Sequence, residues 1–189
     1  MTDDKGPSTQ AVAALKKQGI EFTFHFYRYR KKDVTKAAAT DISVDEHIIV
    51  KTLVMEPGEG KPFIILMHGD RQVSTKALAR QIGVKTVKPS NPQDAERLTG
   101  YRVGGISPFG TKRKLPVYVE ETILDLPRII INGGRRGFLL ELTPLDLIKA
   151  LHPTPVNVAR CARDNHMKIL SICKENRKSR ESETSSKGD

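Results

Sequence analysis

The hydrophobic positions along this sequence change period several times, and each change marks an element. Residues 8–19 place Ala11, Val12, Ala14 and Leu15 at helical spacing, with Ser8 or Thr9 as the cap and Gly19 as the stop. Residues 21–30 (EFTFHFYRYR) switch to strict alternation, Phe22, Phe24 and Phe26 against Thr23, His25 and Tyr27, and predict a strand with one apolar and one polar side. A short alanine-rich helix is expected over residues 35–40. The mostly apolar runs 48–55 (IIVKTLVM) and 62–68 predict two strands joined through the turn-prone residues 57–60. Residues 74–81 and 92–98 read as helices. After a glycine-rich loop come strand-like runs at 117–119, 128–131 and 138–142. Thr143, Pro144 and Asp146 form a helix start: the hydroxyl can accept a free amide, proline suits the first turn, and an acid suits the positive end of the dipole. That helix runs to residue 151, and a last one is expected over residues 156–172. Strands and helices alternate too irregularly for a doubly wound parallel sheet. The expected class is α/β of the α+β type, with a mixed, mainly antiparallel sheet.

Residues 174–189 contain no aliphatic or aromatic side chain. The protein therefore divides into a folded part, residues 8–172, and a polar tail, residues 173–189, expected to be disordered because it has nothing to bury. Lys and Arg number 32 against 22 Asp and Glu, a net charge of +10 over 189 residues. The tail holds five basic and four acidic residues, so nearly all of the excess lies on the folded part, where it favours a polyanionic partner. No apolar run approaches the ~20 residues of a spanning helix. The acidic start MTDDKGP does not read as a secretory signal. A soluble cytoplasmic protein is expected. Cys161 and Cys173 make no disulfide framework, and His25, His47, His68, His152 and His166 show no metal spacing, so neither metal nor cofactor is expected.

Lys51 is the only charge in the run 48–55. Burying an unpaired ammonium is costly, so it must reach water, an acid or an anion. Its side chain either lies on the solvated face of a half-buried strand or is a cation aimed at a phosphate or a developing oxyanion. Gly104-Gly105-Ile106-Ser107-Pro108 can turn its amides toward an anion, and Gly133-Gly134-Arg135-Arg136 can do the same; either can equally be a plain turn. Basic residues cluster at 28–32, with Arg28 and Arg30 beside Tyr27 and Tyr29, at Lys112 and Arg113, and at Arg135 and Arg136. These are candidate RNA contacts with rings able to stack on a base. No nucleophile-elbow, zinc-protease, Walker or dinucleotide motif is present.

Read together, STQAVAALKKQGIEF, IIVKTLVM, AERLTGYRVGGISPFGTKRKLPVYVE and IIINGGRRGFLLELTPLDLIKAL resemble the YbaK/EbsC family, free-standing relatives of the editing domain inserted in bacterial prolyl-tRNA synthetase. The resemblance covers residues 8–163. It implies a barrel-like mixed sheet with surrounding helices, and hydrolysis of the ester that joins a mischarged amino acid to tRNA, cysteine on tRNA(Pro) or another small residue. It implies the acceptor end of tRNA as partner, prolyl-tRNA synthetase as a further candidate partner, and no membrane or metal. Lys51 matches the family's functional lysine, residues 104–108 its Gly-x-x-x-P loop, and Tyr27 a pocket tyrosine. Asn132 stands where members commonly have serine and Leu139 where they have aspartate; Asn132, Gly133, Gly134 and Leu139, with Gly104, Ser107 and Pro108, are then the expected substrate contacts. On this reading the amides of Gly105 and Ile106 hold the developing oxyanion. Lys51 binds a phosphate or adds positive potential. Water attacks, or a cysteinyl substrate's own thiol does so by cyclising. The substituted acid leaves a non-catalytic tRNA or synthetase binder as the alternative.

Overall fold

The computed structural model describes residues 6–161. The expected tail, Cys173 and most of the expected last helix lie outside the described residues. The elements are α1 (Gln10–Lys17), β1 (Thr23–Phe26), α2 (Val34–Asp41), β2 (Ile49–Pro57), β3 (Phe63–His68), β4 (Arg71–Val73), α3 (Thr75–Gln81), β5 (Val87–Pro89), α4 (Pro92–Thr99), β6 (Val117–Glu120), β7 (Ile129–Arg135), β8 (Phe138–Leu142), α5 (Pro144–Leu151), β9 (Thr154–Val156) and β10 (Ala159–Cys161). The main sheet runs β1-β8-β7-β2-β3-β6-β9, β5 joins the far end of β2, and β4 pairs with β10 apart from it. Five of the pairings are antiparallel and three, β2–β7, β3–β6 and β6–β9, are parallel. The expected mixed, mainly antiparallel α+β arrangement is the one observed.

Local chemistry accounts for the helices. Thr9 accepts the Val12 amide and α1 buries Ala11, Val12 and Leu15. Asn91 and Thr143 cap α4 and α5, each followed by proline in the first turn, where the missing N–H costs nothing. One core cluster lies under α1, α4 and α5, with Val50, Val54, Ile64, Leu66 and Phe138. A second joins Ile65 and Met67 to α3, and a third joins Tyr27, Ile130 and Leu139 to α2.

Two expectations need correction. Strand β1 covers only residues 23–26, and its apolar side is not the buried one throughout: Phe26 is 58% exposed, while Tyr27 is 8% exposed. Among the described residues β1 is an edge strand paired with β8 alone, and Phe26 meets the Phe24 and Phe138 rings at 5.8 and 5.5 Å. Beyond Phe26 the backbone bends, its Tyr27 amide donates to Gly137, and the Tyr27 ring packs with Ala38, Ala39 and Leu139. The second correction concerns residues 156–161, expected to begin a helix. They form the end of β9 and all of β10. Buried Glu120 accepts the amides of Val158 and Ala159, both at 2.8 Å, and the Ser74 amide donates to the Val158 carbonyl. The segment is held extended by a distant carboxylate, which no local pattern announces.

Candidate active site

The site opens where β2 loses a neighbour. Parallel pairing with β7 ends at Val50/Ile131, and β5 does not join until Met55/Pro89. Beside the uncovered stretch lies a cavity of about 580 Å³ lined by Lys51, Tyr27, Gly104, Ile106, Asn132 and Leu139, among others. These residues come from β2, the end of β1, the glycine loop, β7 and β8, five separated segments that only the fold brings together.

Lys51 is held, not free. Its Nζ donates to the Gly69 carbonyl at 3.0 Å and to the Arg71 carbonyl, both at the turn between β3 and β4. An ammonium has three donors, so one remains for the cavity. Burial pulls its pKa below the ordinary lysine range, and the Glu46 and Asp70 carboxylates partly oppose that pull. The turn that holds it is itself braced. Thr35 Oγ donates to Glu46 at 2.6 Å and lies 3.3 Å from Gly69 O. His47 Nδ1 sits 2.9 Å from Asp70, and its ring stacks on His68 at 3.8 Å.

His47, His68 and Asp70 show no metal-ligand spacing in sequence, yet they bring one potential ligand atom each within 4.8 Å of one another. The donor set does not suit a metal. His68 is 1% exposed; its Nδ1 donates to His47 O at 2.7 Å and its Nε2 meets Thr122 Oγ at 2.8 Å. Both ring nitrogens are engaged, and burial lowers the His68 pKa, which keeps the ring neutral in that role. The cluster braces the turn that carries Lys51's acceptors.

The glycine loop is pinned from several sides. Tyr101 donates its hydroxyl to Phe109 O at 2.6 Å, Glu96 accepts the Val103 amide, Arg136 Nε donates to Val103 O, and Asn132 Nδ2 donates to Gly104 O. Gly104 has a φ of +87°, and a Cβ there would lie 2.6 Å from the Tyr29 hydroxyl oxygen. At Gly105 a Cβ would meet the Arg136 backbone nitrogen at 2.9 Å. Glycine is needed at both because the backbone passes so close.

The expected contacts therefore separate. Lys51, Tyr27, Gly104, Ile106, Asn132 and Leu139 line the cavity, whereas Gly105, Ser107, Pro108, Gly133 and Gly134 do not. The Gly105 amide donates to Arg102 O at 2.8 Å, inside its own turn, so it is not offered to a ligand. The Ile106 amide donates to no group among the described residues. Ser107 is fully buried beneath the loop. Asn132 acts partly as a strut, its Oδ1 accepting the Gly134 amide. Of the expected RNA contacts, Arg30 pairs with Asp41 at 3.3 Å, and Arg136 lies over the Tyr29 ring at 5.1 Å while bonding Val103. Arg28, Lys112, Arg113 and Arg135 are exposed. Glu141 lies outside the cavity lining; burial alone would raise its pKa, but hydrogen bonds from His25 and Arg128 outweigh that and hold its carboxyl low.

Among the described residues the cavity has apolar walls with a few polar groups, and its lining includes no cysteine or histidine. Ser90 lines it and donates to Glu56 at 2.5 Å, and no imidazole among the described residues bonds to either. Among the described residues no helix is long and apolar enough to cross a membrane.

Known proteins resemble this one in sequence and in fold. The protein is 28% identical over 137 residues to one of Enterococcus faecalis named "Putative Cys-tRNA(Pro)/Cys-tRNA(Cys) deacylase EbsC", covering 72% of this sequence and 84% of that one. It is 22% identical over 86 residues to a proline–tRNA ligase of Brachyspira hyodysenteriae, covering 46% of this sequence and 15% of the ligase. A solved structure described as "a putative trans-editing enzyme for prolyl tRNA synthetase" superposes with a TM-score of 0.71 at 24% identity, covering 82% of this protein and 99% of that one, which shows a shared fold. Residues 31–150, more than half of the sequence and including Lys51, the glycine loop and Leu139, match the model of the aminoacyl-tRNA editing domain, and the protein belongs to that family.

Proposed function

We propose that this protein is a trans-editing aminoacyl-tRNA deacylase that hydrolyses the ester of a tRNA mischarged with cysteine or another small amino acid. One observation carries the reading: a braced lysine, Lys51, and an amide, Ile106, that has no partner among the described residues line one cavity, in which the described residues include no cysteine or histidine. An aminoacyl ester is already activated. Its hydrolysis needs positioning and stabilisation of negative charge more than a strong nucleophile. The Ile106 N–H donates to the carbonyl oxygen as it becomes negative, and the third Lys51 N–H supplies positive potential nearby. Water adds to the carbonyl carbon, the ester C–O bond breaks, and the tRNA leaves as its ribose hydroxyl. Gly105, an expected oxyanion donor, serves instead to hold Ile106 in place. Tyr27, Val34, Ala38 and Leu139 make an apolar wall suited to a small side chain. The exposed Arg28, Lys112, Arg113 and Arg135 attract the acceptor end, so affinity falls steeply with salt. Prolyl-tRNA synthetase is the partner from which such a substrate is released.

A second reading, a binder without hydrolysis, is favoured by Leu139, which is 4% exposed in an apolar cluster and offers no carboxylate to a substrate ammonium. Single-turnover deacylation of Cys-tRNA(Pro) and Ala-tRNA(Pro), with a panel of correctly charged tRNAs, separates the two. Release from one small-residue substrate, slowed in Lys51→Ala, supports the deacylase. Binding with no release from any substrate supports the binder.

A further inference from the structure

Strand β2 exposes a backbone edge inside the cavity, and Thr52 is its centre. Neighbouring residues of a strand present their N–H and C=O groups to alternate edges. Ile49's carbonyl accepts the Gly69 amide on the β3 side, at 2.6 Å. The odd-numbered residues 49, 51, 53 and 55 therefore bond toward β3, and Val50, Thr52 and Val54 point the other way. Val50 is matched there by β7, and the Val54 carbonyl accepts the Ser90 amide at 2.9 Å. Thr52 has neither neighbour. Continuing the parallel ladder one step would tie its N–H to the Asn132 carbonyl, but that ladder stops at Val50/Ile131, as β7 approaches the irregularity between Asn132 and Arg135. The Thr52 hydroxyl is also buried without a hydrogen-bond partner. One residue thus presents a donor, an acceptor and a hydroxyl, all unmatched among the described residues, in the wall of the cavity. Buried polar groups are normally satisfied, so the unpartnered hydroxyl beside an unmatched strand edge in the cavity wall indicates a ligand that completes the place.

The geometry points to Thr52 as the reader of the substrate's terminal base, its N–H and C=O pairing with the edge of adenine much as an added strand would. This rests on the deacylase reading, which supplies an adenosine at the end of every substrate. Adenine places an amino donor beside a ring-nitrogen acceptor, the complement of a backbone C=O and N–H. The surrounding walls suit a flat ring: Val50, Val54, Ala95 and Ile106 pack as one cluster beside the gap, and Pro92 and Val103 line the same cavity. Thr52 is here a positioning residue for the base. Lys51, whose backbone faces the opposite edge, remains with the ester.

The test uses the full-length protein and two non-hydrolysable probes, 3′-alanylamido-3′-deoxyadenosine and its inosine counterpart, in which a carbonyl replaces the amino donor. Amide hydrogen exchange by NMR reads the edge directly. In the free protein the Thr52 amide exchanges rapidly while Lys51 and Leu53 are protected. Saturation with the adenosine probe slows Thr52 about 10-fold or more, and the inosine probe binds about 10-fold more weakly. Thr52→Val, which keeps the shape and removes the hydroxyl, weakens the adenosine probe about 3-fold, and Thr52→Ser restores it. Protection of Thr52 in the free protein, or equal binding of the two probes, overturns the inference. If Ile106 and the Lys51 side chain then still respond to the probes, the deacylase reading stands without it. If no resonance of the cavity responds and no aminoacyl-tRNA is cleaved, both fall.

Discussion

Strands β2 and β3 lie side by side, paired over residues 50–55 and 63–68, and both are rich in aliphatic residues, yet they do different things. All six residues of β3 are buried. It has β2 on one edge and β6 on the other, so its side chains feed cores on both faces. β2 is buried at 49–50 and 54–55 but only partly buried at 51–53, where no described strand pairs with its second edge. In the proposed reading a central strand becomes a site where its ladder is interrupted: the gap leaves room for a ligand, while the ladder to β3 holds the backbone. Catalytic geometry benefits from that rigidity, because misplacement by about 1 Å can cost orders of magnitude in rate.

The largest effect expected from breaking this contrast is at Lys51. Lys51→Ala should slow single-turnover deacylation about 100-fold or more, the scale of losing one charge-stabilising group. Its thermal midpoint should fall only a few degrees, since the loss is confined to the hydrogen bonds to Gly69 and Arg71. The mirror experiment is Ile65→Ala on β3. It should cost about 2–5 kcal/mol in denaturant unfolding and leave the rate per folded molecule near wild type, because Ile65 packs in the core and does not line the cavity. A large rate defect in Ile65→Ala at full folding would erase the distinction between the strands.

Gly105→Ala sharpens it from the other wall. The new Cβ would press on the Arg136 backbone, so the loop must shift and carry Ile106 with it. A drop of about 10-fold in the single-turnover rate is expected, with the fold retained by circular dichroism.

The smallest effect is in pH. His68 ends β3 with its pKa lowered by burial. As pH falls through the ordinary histidine range near 6.5, the unfolded state takes up a proton that the folded state refuses. The stability present above that range is then lost toward the lowered folded value, by at most about 1.4 kcal/mol per pH unit. Unfolding curves between about pH 7 and 5 should show the slope in wild type and a flatter one in His68→Asn.

Legibility in the sequence differs between the two strands in the same way. The apolar runs announce both, and the lone charge in one of them singles out Lys51. The glycines at 104 and 105 and the apolar Leu139 are visible as residue types. Nothing local distinguishes Ile106, whose amide is unengaged beside the cavity, from Gly105, whose amide closes a turn, because that depends on which carbonyl lies nearby. Nor does periodicity show that Thr52 lacks a neighbour, since the missing partner lies far along the sequence on β7. His47 and His68 carry no joint signal in the sequence, and only the fold brings the turn before β2 against the end of β3 so that their rings stack.

The sequence by itself determined the alternation of elements, the helix caps, the basic excess and the editing-domain resemblance, because these rest on spacing and on the conformational preferences of single residues. The tertiary structure decided which of the predicted site residues share a cavity, which amides and cations remain open to a ligand, and that residues 159–161 form a strand. Each of those outcomes depends on hydrogen-bond partners far apart in the sequence, and a donor is free or engaged only once its neighbours are in place.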